Sequence, residues 1–296
     1  MRWLQYALLT IYRKVERWLS HGVGVKLNPV HHLGSMSFYL FWVVGASGLY
    51  LYAFFETGVE EAYSSVEALT HAQWWAGGIM RSVHRYASDA MVVTMVLHLL
   101  RHFAFGRFHG ERWFSWVTGV VLAWLVFVCG INGYMLPWDK LAQFTLTVTF
   151  EWLDWLPMFG GTLMRNFVHA GSVSDRFFSL LSFLHVGLPL LVLLLMWVHV
   201  HRLPLARTSP PWPVAAMLTG ALVLLSLIKP ALSQGSPADF ATAVTTVGID
   251  WFYLAFLPLA AVLPPAQTWA LSGAATAWLV ALPWWPTGGR PAPHRV

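Results

Sequence analysis

Charge is scarce in this chain. Only 10% of its 296 residues are charged and 57% are hydrophobic, whereas a soluble domain carries about 25% charged residues. That scarcity excludes an ordinary soluble globule and points to a membrane protein. Cysteine is nearly absent, with Cys129 standing alone in an apolar run. No disulfide framework, iron–sulfur ligand set or C-x-x-C-H haem attachment can be built within the chain. Any haem must be held without a thioether link of that kind, and Cys129 reads as a small packing residue. The net charge of +5 reports loop asymmetry in such a protein, and nucleic-acid binding is not expected. Met1–Lys26 lacks the layout of a signal peptide: its apolar piece, Leu4–Tyr12, is short, and the basic residues follow it. It reads as an amphipathic surface helix with Arg13, Lys14 and Arg17 on the polar side.

Apolar and aromatic residues are abundant. The 18 Trp and 19 Phe suit interfacial belts and apolar packing. Six stretches approach the length of about 20 residues that spans a bilayer: Leu33–Phe54, Ala87–Phe105, Phe114–Leu136, Phe177–Val200, Trp212–Ile228 and Thr268–Trp285. A shorter run, Trp251–Leu263, predicts a half-buried surface or re-entrant helix. The long loop from Pro137 to Arg176 predicts short helices lying on the outer surface. Arg2, Arg13, Lys14, Arg17, Lys26, Arg101, Arg107, Arg112, Arg202, Arg207, Arg290 and Arg295 fall on one side of this arrangement. Most of the acids, including Glu56, Glu60, Glu61, Glu67, Glu151 and Asp154, fall on the other. Basic residues stay inside, so both termini are expected to face the cytoplasm of a bacterial-type inner membrane. The expected fold is an all-α polytopic transmembrane bundle, a four-helix core plus two further spans. Three regions follow: 1–30 the surface helix, 31–205 the core, and 206–296 a C-terminal part with two spans.

The second span region holds His84 and His98, and the fourth holds His185 and His199; both pairs are 14 residues apart. Fourteen steps leave two side chains about 40° apart around a helix and about 21 Å apart along it. The two helices run in the same direction, because one span lies between them. His84 therefore pairs with His185 near the outside, and His98 with His199 near the inside. Imidazoles on opposite sides are what an iron porphyrin needs for axial ligation, and a haem closed on both faces is poised for electron transfer. Gly34 and Gly48 repeat the 14-residue spacing in the first span, as Gly119 and Gly133 do in the third, giving backbone clearance for a porphyrin. Arg81 and Arg101 lie on the membrane-edge side of their histidines, where guanidinium could meet propionate. A lone intramembrane histidine is more often packing than ligand, but four at matched spacing with two glycine pairs favour ligation. The same arginines would otherwise be snorkelling interface charges. His102 and His201 read as interfacial, and His21, His71, His109 and His294 as exposed. His31 and His32 precede the first span, where they could serve a third haem or a quinone.

Arg81-Ser-Val-His-Arg-Tyr-Ala-Ser through His98-Leu-Leu-Arg101 resembles the second helix of cytochrome b from the cytochrome bc1 and b6f complexes. Trp116-Val-Thr-Gly119 and Gly133-Tyr-Met-Leu-Pro-Trp138-Asp139 resemble its third helix, and His185, Pro189 and His199 its fourth. The resemblance covers roughly residues 30–205. It implies two b-type haems, the outer on His84 and His185 and the inner on His98 and His199. It also implies propionate-binding roles for Arg81 and Arg101 and a place beside the inner haem for Trp116. Gly248-Ile-Asp-Trp-Phe-Tyr253 sits where the family carries Pro-Glu-Trp-Tyr, its outer quinol-oxidation motif. There Asp250 replaces Glu as the candidate quinol proton acceptor, and Ile249 replaces Pro. Thr145 stands where the family keeps a small residue beside its outer quinone pocket, and only one full span is expected after the motif, so the family's last helices are expected to be missing.

The resemblance implies the cytochrome b subunit of a quinol/quinone oxidoreductase, carrying electrons between the quinone pool and a redox partner across the bilayer. The altered outer motif favours a remodelled outer quinone site and a non-standard partner such as a flavin or iron–sulfur protein. One alternative is a standard bifurcating subunit with a Rieske partner and a cytochrome c. Another is a structural membrane anchor with non-functional haems. Family members are usually homodimers.

Overall fold

The computed structural model describes residues 2–169, 172–203, 206–249 and 256–285. Helix α1 (Arg2–Val23) is followed by two 3-10 turns and by α2 (Leu33–Phe54). Next come α3 (Glu61–His71), α4 (Ile79–Ala104), α5 (Trp113–Met135), α6 (Lys140–Asp154) and α7 (Thr162–Phe167). Helices α8 (Asp175–His201), α9 (Trp212–Ile228), α10 (Phe256–Val262) and α11 (Pro265–Ala281) complete the chain. Among the described residues there is no strand, only an isolated bridge between Asp139 and Pro237. The all-α expectation holds.

The helices form because nearly every stretch is apolar and unbroken. Pro29–Phe54, Gly110–Met135 and Asp175–His201 are long and apolar enough to cross a bilayer. Large apolar side chains point outward from them: Leu49 and Phe183 are 72% exposed and Leu190 68%. In water such a surface would be untenable; against lipid it costs nothing. This is an integral membrane protein. The closest helix pairings are α2 on α4 and α5 on α8, so the bundle core is two helix pairs facing each other. Helix α1 docks on α4 through polar contacts. Gln5 Nε2 donates to the Phe103 carbonyl and Tyr12 OH to the Leu97 carbonyl, both at 2.9 Å. The Glu16 carboxylate pairs with Arg101 at 2.8 Å.

Helix α4 begins at Ile79, eight residues before the span expected at Ala87. Arg81 and Arg85 make its first turns look like a loop by hydropathy, but tertiary partners absorb the charge. Its start is set by a π-turn, Trp74–Gly78. A Cβ at Gly77 would lie 2.6 Å from the Leu69 carbonyl oxygen, so glycine is what lets α3 and α4 meet.

The loop from Pro137 to Arg176 does contain short helices, but α6 is more than a surface element. Asp139 caps it, accepting from Ala142 N at 2.9 Å. Leu141, Leu146, Val148 and Trp152 of α6 are buried, and they join Trp138 and Phe178 in one cluster or pack on its neighbours. The expected sixth span, Thr268–Trp285, resolves into α11 ending at Ala281 and a 3-10 turn, Leu282–Trp284. Tryptophan N–H groups hold α11 in place: Trp116 donates to the Leu279 carbonyl at 2.7 Å and Trp124 to Thr276 Oγ1 at 3.0 Å. Of the run expected at Trp251–Leu263, α10 accounts for Phe256–Val262, and 251–255 lie outside the described residues.

Gly77→Ala should lower the midpoint of thermal unfolding in detergent, because backbone must move to admit the methyl group. Gly220→Ala on α9, which meets nothing within 4 Å, should leave it unchanged or raise it by the equivalent of about 0.5–1 kcal/mol. Equal midpoints for the two variants would refute the packing role of Gly77.

Candidate functional site

The structure brings the two outer histidines together: the His84 and His185 ring centroids are 6.2 Å apart. His98 and His199 lie close enough to interact electrostatically. Each imidazole rests on the backbone of a neighbouring helix at a glycine. A Cβ added to Gly48 would lie 2.9 Å from His84 Cε1, and one on Gly34 2.9 Å from His98 Cε1. The corresponding distances are 2.7 Å for Gly133 against His185 and 3.3 Å for Gly119 against His199. The four glycines of the 14-residue pattern are therefore notches for the four histidines. In this structure the glycines give clearance to the imidazoles.

The notch also decides which ring nitrogen is free. His84 Nδ1 is 3.0 Å from the Val44 carbonyl and His185 Nδ1 3.1 Å from the Cys129 carbonyl. Val44 and Cys129 each lie four residues before the notch glycine. His199 likewise bonds the backbone at Ser115, four before Gly119, and its Nδ1 is 3.0 Å from Thr118 Oγ1. Each of these Nδ1 atoms has a partner on the helix, which leaves Nε2 as the nitrogen able to ligate. The carbonyls and Thr118 carry no mark in a sequence read by residue type. Only the spacing of the glycines hinted at them.

His84 and His185 open on a cavity of about 970 Å³ that is also lined by Gly48, Gly133, Arg81 and Tyr134. Arg81 reaches Glu67 at 3.4 Å, Ser233 at 2.8 Å and the Thr70 hydroxyl. Burial would raise the Glu67 carboxyl, but the hydrogen bond from Ser233 and the charge of Arg81 prevail and hold it below the usual range. Arg101 is engaged with Glu16 on α1, and Trp116 with α11. These three sequence-marked residues are thus tied into the protein beside the histidines. His32 is buried, its Nε2 2.9 Å from the Lys26 carbonyl. His102 packs its ring 4.3 Å from that of His98, one turn earlier on α4. His109 is only half-buried, fixed to the Pro283 carbonyl at 3.0 Å, a correction to its expected exposure; His21 and His71 are exposed. Asp250 and His294 lie outside the described residues. Two charged residues passed over in the sequence, Arg85 and Asp89, line the same cavity.

These residues fit a haem. An imidazole nitrogen sits about 2 Å from a first-row metal, so trans ligands on one iron have ring centres about 6 Å apart, as His84 and His185 do. Paired Nδ1 atoms fix the rings, glycines admit them, and the cavity has the size of a cofactor site.

Gly133→Ala and Gly48→Ala should each strip the protein of its outer-site haem absorbance, read by reduced-minus-oxidised spectroscopy. Gly119→Ala, with 0.6 Å more room than Gly133→Ala, should retain bound haem. A full haem complement in Gly133→Ala would contradict the notch.

The sequence profile of cytochrome b/b6/petB matches residues 19–206 of the chain. Cytochrome b6 of Gracilaria tenuistipitata var. liui is 35% identical over 178 residues, covering 58% of this chain and 80% of that one. A chain of a hyperthermophilic respiratory complex III shares the fold, with a TM-score of 0.64 at 17% identity over 86% of this chain and 75% of its own. The profile spans all four histidines and the notch glycines that seat them, and the chain belongs to the cytochrome b family.

Proposed function

We propose that this protein holds two haems, each between two histidines, and carries electrons across the bilayer between the quinone pool and a redox partner. His84 and His185 ligate the outer haem, and His98 and His199 the inner one. The observation that carries the reading is the 6.2 Å separation of the His84 and His185 rings across the cavity, with both Nδ1 atoms occupied by helix carbonyls. Haem, when bound, supplies a one-electron ferric/ferrous couple. The protein's part would be to present Nε2 of His84 and His185 to the group and to exclude water with apolar helices. Ligands 14 residues apart stand about 21 Å apart along α4 and α8, most of the apolar thickness of a bilayer. Electron movement between the two sites is then charge movement across the membrane.

Arg81 and Arg101 lie on the membrane-edge side of their histidines and could pair with propionates in place of part of their present contacts. The chain serves as the electron-transfer subunit of a quinol/quinone oxidoreductase in a bacterial-type inner membrane, with both termini cytoplasmic. Regions 31–205 and 206–296 divide it into a haem-holding core and a C-terminal part. The substituted outer motif, with Asp250 for the family's Glu, favours a remodelled outer quinone site and a partner such as a flavin or iron–sulfur protein. The fold shared with a complex III chain favours a second reading, a bifurcating subunit with a Rieske partner.

Pyridine extraction should return two haems per chain from the wild type and one from His84→Ala or His98→Ala. A wild-type yield of one or none, or an unchanged yield in both variants, would reject the two-site reading and favour a structural anchor. Asp250→Asn should leave most quinol oxidation intact if the outer site is remodelled, and should abolish it if Asp250 serves as in a standard bifurcating subunit.

A further inference from the structure

Two opposite charges stand on α4 just inward of the outer histidine pair. Arg85 follows His84 directly, Asp89 lies one turn further on, and both line the cavity onto which His84 and His185 open. Arg85 Nε donates to Asp89 Oδ2 at 3.3 Å. Five residues carry Asp89 about 7.5 Å along α4 from His84 and leave it about 13.5 Å short of His98. The pair therefore stands between the levels of the two histidine pairs, nearer the outer one. The Arg85 guanidinium also lies 4.1 Å from the Tyr134 ring of α5. Tyr134 adjoins Gly133, the glycine that seats His185. Arg85 is thus fixed between the helix that carries one outer ligand and the helix that seats the other.

Neither charge is dispersed. The Arg85 and Asp89 side chains are 28% and 14% exposed, and Asp89 Oδ1 is buried without a hydrogen-bond partner. The contact at Oδ2 is one-pronged, not the two-pronged fork that guanidinium can make with a carboxylate. A buried charge acts on its neighbours over distances at which water would screen it. Such action is through space, so no molecule has to reach the sealed oxygen. The cavity is also lined by Arg81, Asp139 and Lys229. Arg81 is engaged by Glu67 and Ser233. Asp139 accepts from the backbone N–H groups of Ala142 and Gln234, and Lys229 lies past the end of α9. Arg85 and Asp89 are the two charges placed along the ligand helix on the inward side of His84.

We propose that Arg85 and Asp89 set the redox potential of the outer haem, acting as a fixed pair of opposite charges in the wall of its cavity; the proposal rests on the two-haem reading above. Oxidation of the iron adds one positive charge at the site. Asp89 favours that state and lowers the potential, whereas Arg85 disfavours it and raises the potential. Asp89 and the Tyr134 ring together hold the Arg85 charge in place, so Asp89 is also a positioning residue for Arg85. The inner site lies further from the pair along α4 and feels it less.

The test is an optical redox titration of the full chain in its native membrane, with haem counted by pyridine extraction. Asp89→Asn should raise the outer-haem midpoint and Arg85→Gln should lower it. Each shift should be on the order of a tenfold change in the ratio of oxidised to reduced haem, about 59 mV for a one-electron couple. The inner-haem midpoint should move less in both. Asp89→Glu, which keeps the charge, should stay near the wild type, and the double variant Arg85→Gln/Asp89→Asn should fall between the two single ones. A merely structural role would not give shifts of opposite sign. Shifts in the same direction, no shift, or an Asp89→Glu protein displaced as far as Asp89→Asn would overturn the assignment. So would loss of the outer haem from either single variant, which would make the pair a structural clasp. A wild type that titrates with fewer than two haem components would bring down the two-haem reading itself, before any variant is made.

Discussion

An imidazole pressed against a helix backbone is the contact on which this protein is organised. Histidine is too large to sit between two close-packed helices unless the facing residue has no side chain. Glycine removes that obstacle and exposes a carbonyl one turn earlier, which takes the Nδ1 proton. One small residue thus sets the distance between helices, the tautomer of the ring and the direction of its ligating nitrogen. The pattern occurs at Gly48, Gly133 and Gly119 with the carbonyls of Val44, Cys129 and Ser115. At Gly34 the same close approach meets His98. Because α2 serves α4 and α5 serves α8, each ligand helix has its own supporting helix, and the two pairs can face each other across a cofactor-sized cavity.

The membrane setting explains the rest of the arrangement. Helices that expose Leu49, Phe183 and Leu190 gain nothing from one another by the hydrophobic effect, so specific polar contacts must fix their order. Tryptophan N–H groups on α5 reach α11, and Tyr12, Gln5 and Glu16 of α1 reach α4. Arg81, Glu67 and Ser233 tie three separate segments at the mouth of the outer cavity. Charge in this chain is rare, and part of it joins segments that lie apart in the sequence.

Much was legible in advance. The apolar runs named the long helices to within a few residues, and Leu33–Phe54 and Trp212–Ile228 coincide with α2 and α9. The 14-residue spacing of four histidines named the helices that bring them together and the pairs they form, because helical periodicity converts spacing directly into a shared face. Less legible were the start of α4, where Arg81 and Arg85 imitate a loop, and the burial of α6, which depends on partners distant in the chain. His109 is half-buried rather than exposed for the same reason: exposure of a polar side chain is set by what packs over it.

The sequence alone determined the class of the protein, most of its long helices and the four histidines that meet in pairs. Those properties follow from hydropathy and from the fixed rise and turn of a helix, which are local. Only the tertiary structure decided what the glycines clear and which carbonyls orient the rings. Those depend on distances between segments far apart in the chain, and no local rule of helix geometry specifies them.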